Sequence, residues 1–226
     1  MKNVLSTKLL TPGQKTILND AGINFQEYEA INIHYQEFQL TTDFDYYIFT
    51  SQNAVRAFIN HNSNFHTKKE LGKECFCVGG KTKLLLEQNG HKVVKMVHNG
   101  AELGSFIVKN HKKASFLFFC GNRRNDDLPN ILTKHKVHFK EIVVYKTELK
   151  PQHFSEHFDG ILFFSPSGVK SFTMSNEVGN STVFCIGDTT AGEAALFTDS
   201  IIVADTPVVE NLLKKVTLHY NLSIKK

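Results

Sequence analysis

Five short polar segments of the sequence have residue types that could bind an anion. They are Thr50–Asn53, Gly79–Thr82, Gly121–Asn122, Ser165–Gly168 and Gly187–Thr190, and each directly follows an apolar run. In a parallel sheet, ligands bind just beyond the carboxyl ends of the strands. Where a helix follows, its first N–H groups and its dipole attract a carboxylate or a phosphate. A Ser or Thr at one such position could simply cap its helix, but five segments together indicate a shared anion-binding site.

Other patterns that could carry chemistry are incomplete. His153 and His157 are four positions apart, a spacing that could bind a metal from one helical face. They have no third ligand in their surroundings, so no metal site is predicted. Lys81 and Lys83 flank Thr82, but the full phosphate-binding loop is missing. No G-x-G-x-x-G follows the first apolar run and no G-x-S-x-G occurs, which disfavours a nicotinamide enzyme and an α/β-hydrolase.

Two halves of the sequence repeat one pattern of elements. Ser51 and Val55 recur 114 positions later as Ser165 and Val169, and Gly79 recurs 108 positions later as another glycine. Within each half, short apolar runs alternate with segments of helical periodicity. Strands that alternate with helices indicate parallel sheets. The sequence therefore predicts an α/β protein with two similar domains, each a mainly parallel sheet flanked by helices.

Composition and charge indicate an ordinary globular protein. Of 226 residues, 41% are hydrophobic and 21% charged, and the net charge is +4. The basic residues are scattered, so a nucleic-acid surface is not predicted. No apolar run reaches the ~18 residues of a membrane span, and MKNVLSTKLL lacks the apolar region of a signal peptide. We therefore expect a cytoplasmic protein without a membrane partner, whose four cysteines are reduced.

An ordered set of short motifs matches a known family. The motifs are FTSQNAV, CGN followed by LPNIL, EIVVYKT, FFSPSGV, IGDTTAGEA and ADTPVVENL. Together they resemble uroporphyrinogen-III synthase over nearly the whole chain. The resemblance implies one domain from residues 1–34 and 149–226 and another from 38–144. Residues 35–37 and 145–148 would form a two-stranded connector, with a cleft between the domains.

The resemblance and the repeat together predict how the strands are shared. Ser6 and Phe164 are expected in one sheet, and Phe49 and Phe119 in the other. Phe25–Ile33 reads as one strand. A second prediction is that the linker Glu148–Phe158 has some helical character.

The resemblance also implies a reaction. Members of the family are lyases that close hydroxymethylbilane to uroporphyrinogen III, with loss of water and inversion of ring D, in porphyrin and heme biosynthesis. The substrate is a tetrapyrrole with eight carboxylates, which suits a site made of helix N-termini. No cofactor and no metal are implied. A monomer is expected, with a possible transient contact to the enzyme that makes the substrate.

Particular residues correspond to family positions. Tyr145 of the VYKT motif corresponds to the tyrosine that could assist departure of the hydroxyl. Asn53 and Asn125 stand where other members have Arg, so Arg123 or Arg124 could substitute. The substrate-binding residues implied are Thr50, Ser51, Asn53, Thr82, Gly121, Asn122, Ser165, Ser167, Gly168, Gly187, Thr189 and Thr190.

One alternative comes from another functional class. The same polar turns could belong to a non-catalytic two-domain α/β sensor that binds an anionic metabolite. Tyr145 and the ordered motifs favour the enzyme. The product formed from hydroxymethylbilane would distinguish the two.

Overall fold

A computed structural model describes residues 1–40, 44–64 and 72–224. The chain forms two compact units, Met1–Asn32 with Glu148–Lys226, and Ile33–Thr147. The strands are β1 (Asn3–Ser6), β2 (Asn24–Glu27), β3 (Ile31–Tyr35), β4 (Tyr46–Phe49), β5 (Glu74–Val78), β6 (Lys92–Val97), β7 (Ser115–Gly121), β8 (His138–Leu149), β9 (Gly160–Phe163), β10 (Thr182–Cys185) and β11 (Ile201–Val203). The helices are α1 (Pro12–Asp20), α2 (Gln52–Asn64), α3 (Gly80–Gln88), α4 (Gly100–Asn110), α5 (Asp127–Lys134), α6 (Pro166–Thr173), α7 (Asp188–Ala194) and α8 (Val209–Ile224).

The sheet of the first unit has the order β11-β10-β9-β1-β2, and its neighbouring strands are parallel. Successive residues of a strand point to opposite faces, so Val4 and Leu5 enter different cores. Leu5 packs with Phe172 of α6, whereas Val4 packs with Leu18 of α1 and Leu213 of α8. Because helices cover both faces, the central strands are apolar along their length.

The sheet of the second unit has the order β3-β8-β7-β4-β5-β6. From β8 to β6 the neighbouring strands are parallel, and Phe49 is paired with Phe119. At the edge, Lys150 N–H donates to Ala30 O and Gln36 N–H donates to Val144 O. Between these two bonds the residue number rises from 30 to 36 on the β3 side and falls from 150 to 144 on the β8 side. The two strands are therefore antiparallel. The chain passes from one unit to the other within these two strands.

The predicted fold class is confirmed: both sheets are mainly parallel and are flanked by helices. The prediction of one strand over Phe25–Ile33 is wrong. The chain leaves the sheet between β2 and β3, where Tyr28 N–H donates to Ser6 O and Ala30 N–H donates to Thr7 O. The side chains of Tyr28 and Ala30 are buried in the core, so the residues between the strands are as apolar as the strands themselves.

The segment before β9 also differs from its prediction. Residues 150–158, all described, form no helix, and residues 148 and 149 belong to β8. The side chain of Asn176 binds this segment instead: its Oδ1 accepts from Phe154 N–H at 2.8 Å and its Nδ2 donates to Gln152 O at 2.7 Å. These side-chain hydrogen bonds satisfy backbone groups that a helix would otherwise pair.

The cysteines are buried and unoxidised. Cys75, Cys77, Cys120 and Cys185 are free thiols inside the two units. Burial raises the pKa of Cys120 to about 11 and that of Cys185 to about 12. Thiols of this kind behave as small apolar side chains. Over the described part of the chain, no helix has both the length and the apolar character to cross a membrane.

A buried histidine should make the second unit sensitive to mild acid. Burial lowers the pKa of His91, and a hydrogen bond with the backbone of Lys73 opposes this only in part. Its ring lies 5.3 Å from that of Phe58. Below pH ~6.5, the ordinary pKa of histidine, the His91 imidazole is protonated in the unfolded chain but stays neutral to lower pH in the folded chain. The free energy of unfolding should therefore fall as the pH drops from 7.5 to 5.5.

Urea unfolding at the two pH values measures this effect, with His91→Gln as the comparison. The variant removes the titrating group, so its stability should depend less on pH over this window. The lowered pKa values of Glu27, Asp45 and Asp159 act at more acidic pH. A wild-type dependence that persists unchanged in His91→Gln would contradict the assignment.

Candidate active site at the carboxyl ends of the strands

Three adjacent strands of the second unit bring Ser51, Gly121 and Tyr145 together. Ser51 follows β4, Gly121 ends β7 and Tyr145 lies within β8, and the three strands are neighbours in the order β8-β7-β4. The register pairs Gly121 with Tyr145 after an irregularity between Cys120 and Gly121. The polar group formed by these residues lies at the carboxyl ends of β4 and β7, the edge at which α/β sheets bind ligands.

Gly121 provides the surface against which the Tyr145 ring lies. A Cβ atom at Gly121 would lie 2.4 Å from Cζ and 2.8 Å from the hydroxyl oxygen of Tyr145. Real Cβ atoms do not approach other heavy atoms so closely, so any side chain at this position would displace the ring. Gly121 is needed here for close approach rather than for backbone conformation.

The Ser51 side chain lies near the Tyr145 hydroxyl and affects its pKa. The Ser51 Oγ accepts a hydrogen bond of 3.1 Å from Asn53 N–H in the first turn of α2. Burial raises the pKa of Tyr145, the Ser51 side chain lowers it in part, and nearby Cys120 and Tyr35 add to the rise. The net pKa lies above its ordinary value, so at neutral pH the phenol keeps its proton and can donate it.

The turn after β7 is hydrogen-bonded to β8. Asn122 N–H donates to Tyr145 O at 3.3 Å, and its Oδ1 accepts from Thr147 N–H at 2.8 Å. Arg123 Nε donates to Thr147 O at 3.4 Å. The helix that follows this turn, α5, begins at Asp127. The amide of Asn122 is therefore used within the sheet, while its side chain and that of Arg123 are exposed.

The two candidate arginines have different surroundings. Arg124 is half-buried, hydrogen-bonds to Asp126 and donates from Nη2 to Glu141 Oε2 at 2.8 Å. The hydrogen bond with Glu141 contributes most to raising the pKa of this guanidinium. Arg123 is exposed, and its hydrogen bond to Thr147 uses Nε alone. Arg124 is thus part of a structural ion pair, whereas Arg123 hydrogen-bonds a backbone carbonyl through Nε.

The remaining predicted residues of the second unit surround the same edge. Thr50 follows β4 directly and is half-buried, as is Asn53 in the first turn of α2. Gly79 has φ +85°, a conformation that favours glycine, and precedes α3. Thr82 is 5% exposed, and its N–H donates to Gly79 O at 3.1 Å. The Thr82 hydroxyl is therefore placed inside the unit, where it supports the turn.

In the first unit, Ser165 caps α6. Its Oγ accepts from Gly168 N–H at 3.1 Å. Gly168 is buried, and a Cβ atom there would lie 3.4 Å from Thr7 Oγ1. Ser167 is half-buried in the first turn. Ser165, Ser167 and Gly168 thus belong to the N-terminus of a helix rather than to a separate turn.

The two threonines after β10, Thr189 and Thr190, differ in exposure. Gly187 precedes α7 with extended backbone, and a Cβ atom there would meet only Pro207 Cβ, at 3.9 Å. Thr189 is exposed, whereas Thr190 is 1% exposed and its N–H donates to Gly187 O at 3.0 Å. The Thr189 hydroxyl can meet a ligand, while that of Thr190 is covered by the unit itself.

Sequence reasoning missed two residues at these edges. Thr7 directly follows β1, is buried, and donates from Oγ1 to Leu162 O at 2.7 Å. Thr147 holds both Asn122 and Arg123. The repeat could have revealed Thr7, because it precedes Gly121 by 114 positions.

The histidine pair lies elsewhere. His153 and His157 line a cavity of about 500 Å³ in the first unit, formed by the segment before β9 and the residues between α6 and β10. His153 Nδ1 is hydrogen-bonded to Ser175 O at 2.9 Å. Across the described ranges, no group of three His, Cys, Asp or Glu side chains could hold a metal ion.

Two α/β units, with hydroxyl and glycine residues at the carboxyl ends of their parallel strands, define the class: a two-domain α/β protein suited to anionic ligands. The family model described as uroporphyrinogen-III synthase HemD matches residues 17–214. The chain belongs to the uroporphyrinogen-III synthase family, whose members are lyases of heme biosynthesis.

Solved structures agree with this family. A uroporphyrinogen-III synthetase from Helicobacter pylori is 24% identical with a TM-score of 0.68, and the match covers 98% of this chain and 100% of that chain. A mutant uroporphyrinogen III synthase from the extremely thermophilic bacterium Thermus thermophilus is 12% identical with a TM-score of 0.74, covering 97% and 100%. These likenesses establish the fold. No curated protein sequence matches the chain.

Proposed function

We propose that this chain is a uroporphyrinogen-III synthase, which closes hydroxymethylbilane to uroporphyrinogen III with loss of water and inversion of ring D. Family membership supports the reaction. The observation that carries it is the position of Tyr145, whose ring lies against Gly121 at the carboxyl edge of the second sheet. None of the findings favours the alternative of a non-catalytic sensor.

Tyr145 acts as the acid for departure of the hydroxyl. The C–O bond breaks with its electron pair on oxygen, the phenol proton is transferred to that oxygen, and water leaves. The remaining azafulvene cation is stabilised by the pyrrole nitrogen. The substituted carbon of ring D then attacks the cation to give a spiro intermediate. After rearrangement, the proton lost from the ring carbon restores the phenol, so no cofactor is required.

Selection of isomer III depends mainly on orientation. Closure without the enzyme joins the nearer, unsubstituted carbon of ring D and gives isomer I. The enzyme must hold the substrate so that the substituted carbon lies closer to the cation, which is catalysis by proximity. Fixed dipoles at the edge of the sheet add stabilisation of charge. The carboxylates of the substrate provide the contacts by which it is held.

The predicted binding residues divide by exposure. We propose that Thr50, Asn53, Asn122, Ser167 and Thr189 contact carboxylates with their side chains, because these are exposed or half-buried. A second group supports the turns from within: Gly121 and Gly168 allow close packing, and Thr82 and Thr190 are buried. The N-termini of α2 and α6 add N–H groups that have no partner within the helix.

The deciding experiment is the isomer formed by the wild-type protein. Purified protein is given freshly made hydroxymethylbilane, the product is oxidised, and isomers I and III are separated by chromatography. Isomer III in excess over the reaction without protein supports the proposal. Isomer I alone would exclude the synthase, and the anion-sensor hypothesis would replace it.

Arg123 is proposed to bind a substrate carboxylate in place of the arginine absent at Asn125. Replacing Arg123 with Ala should raise the KM about tenfold, the cost of one charge-assisted hydrogen bond, and leave the unfolding free energy unchanged. The matched variant Arg124→Ala should instead lower stability by about 1 kcal/mol, because it breaks the pair with Glu141. Steady-state kinetics and urea unfolding of both variants measure this. A KM effect confined to Arg124→Ala would reverse the assignment.

Further properties follow from the family and the composition. We propose that the enzyme is a cytoplasmic monomer that receives its substrate through brief contact with the enzyme that makes it. The scattered charges and the reduced, buried cysteines support this. Light scattering behind size-exclusion chromatography tests the monomer, and a mass near 51 kDa, twice the 25.6 kDa of the chain, would contradict it.

A further inference from the structure

Two segments of the second unit bring together lysines that are far apart in the sequence. Residues 109–115 and 133–140 contain six lysines and three histidines, with no Asp or Glu. The pairing of β7 with β8 places Ser115 opposite His138, and the preceding helices α4 and α5 pack against each other. The two segments therefore form one surface, here called the lysine surface, at the amino ends of these strands. Its six lysines exceed the net charge of +4 of the whole chain, so the rest of the chain is net acidic.

The lysine surface is open, and its charges are not neutralised by the protein itself. All six lysines are exposed. Within the part of the chain that the structure describes, none of the six forms an ion pair. The carboxylate of Asp45, next to this surface, instead accepts from the N–H and the hydroxyl of Ser115, each at 2.8 Å.

Helix stabilisation explains only part of this charge. A helix C-terminus attracts cations, which accounts for Lys109 and Lys134 in the last turns of α4 and α5. Four lysines lie beyond the helices: Lys112, Lys113, Lys136 and Lys140.

Lys136 occupies a backbone position that suits glycine. Its φ is +56°, and among the residues that the structure describes only glycines otherwise have a positive φ. It lies just after the end of α5, where glycine is the common residue, and its N–H donates to Thr133 O at 3.0 Å. A side chain in this conformation costs stability relative to glycine. The fold therefore does not explain a lysine at this position, whereas a need for its charge does.

We propose that the lysine surface docks an acidic partner protein, one that presents Asp and Glu side chains. A surface of one sign steers an oppositely charged partner and repels a second copy of the same chain. The lysine surface has no arginine, the residue that binds phosphates in a bidentate manner. It also has no exposed Phe, Tyr or Trp on which a base could stack or which could enter a membrane. These features favour a protein over a nucleic acid or a lipid surface.

The position of the lysine surface leaves the candidate active site free. The surface lies at the amino ends of β7 and β8, whereas Gly121 and Tyr145 lie toward their carboxyl ends. A partner can therefore bind at one end of the sheet while the other remains open to a ligand. The inference does not depend on which reaction the carboxyl edge carries.

Poly-L-glutamate is the probe for this surface, added at low salt to ¹⁵N-labelled protein. Amide shifts should be confined to residues 109–115, 133–140 and their neighbours. Replacing Lys112 with Glu should weaken binding about tenfold, because it turns an attraction into a repulsion. Lys214→Glu is the matched control, since it makes the same charge change at an exposed lysine of α8, and should weaken binding less than twofold. Formation of isomer III should be unchanged in Lys112→Glu.

Lys136→Gly separates binding from stability. The variant should raise the midpoint of urea unfolding, because glycine fits the backbone, and should weaken poly-L-glutamate binding about threefold. Equal losses of affinity in Lys112→Glu and Lys214→Glu would overturn the proposal, because binding would then reflect overall charge alone. Tighter binding at the lysine surface of oligothymidylate, or of phosphatidylserine vesicles, than of poly-L-glutamate would also overturn it, in favour of a nucleic acid or a membrane.

Discussion

Replacing Tyr145 with Phe is expected to lower the rate of isomer III formation about tenfold to a hundredfold. The phenol is the acid proposed for departure of the hydroxyl, and general acid catalysis contributes roughly 10²–10⁴ in rate. The loss stays at the lower end because the hydroxyl also departs slowly without assistance. The ring remains and can still lie against Gly121, so the fold should persist.

The measurement is the initial rate of isomer III at saturating hydroxymethylbilane, after urea unfolding has shown that the variant is folded. Tyr46→Phe is the matched control, because Tyr46 begins β4 and packs against Phe76 and Phe116. This variant also removes a phenol hydroxyl, but at the amino end of β4 rather than at the carboxyl edge of the sheet, and it should retain the wild-type rate. A folded Tyr145→Phe variant as fast as the wild type would remove the role assigned to this residue.

Replacing Gly121 with Ala should reduce activity at least as much. The new methyl group would lie 2.4 Å from the Tyr145 ring, so the ring must turn away from its place at the edge of the sheet. Overpacking of this kind costs about 1–3 kcal/mol of stability. Both effects follow from one displacement, and they should appear together in kinetics and in urea unfolding.

A double-mutant comparison isolates this contact. Once Tyr145→Ala has removed the ring, Gly121→Ala should cost far less stability than it does in the wild type. Gly192→Ala is the control for the substitution itself, because a Cβ atom at Gly192 meets nothing within 4 Å. It lies within α7, where alanine is favoured over glycine by ~1 kcal/mol. Equal costs of Gly121→Ala with and without the ring would show that the two residues do not compete for space.

Most strands and helices could be predicted from the sequence, because buried parallel strands are short apolar runs that end at polar residues. Tyr46–Phe49 and Asn3–Ser6 are strands of this kind. The division of Phe25–Ile33 could not be predicted, because Tyr28 and Ala30 are apolar and no Gly or Pro marks the bend. The path of residues 150–158 depends on Asn176, which is distant in the sequence.

The candidate site could be predicted only in part. The polar segments at the carboxyl ends of the strands follow from local sequence, and so does the serine cap of α6. The contact of Ser51 and Gly121 with Tyr145 does not, because it depends on β7 lying between β4 and β8. The two arginines after Gly121 look equivalent in the sequence. The position of Glu141 on the neighbouring strand separates them, since it engages Arg124.

The central position of β1 in its sheet has a consequence for synthesis on the ribosome. Residues 33–147 are made as one continuous stretch and contain every strand from β4 to β7. β1 is made before this stretch, yet Val4 pairs with Gly160, 156 positions later. At roughly 5–20 residues per second, β1 and β2 wait about 8–30 s for this partner. The second unit can therefore fold while β1, in the nascent first unit, still exposes the strand edge that β9 will cover.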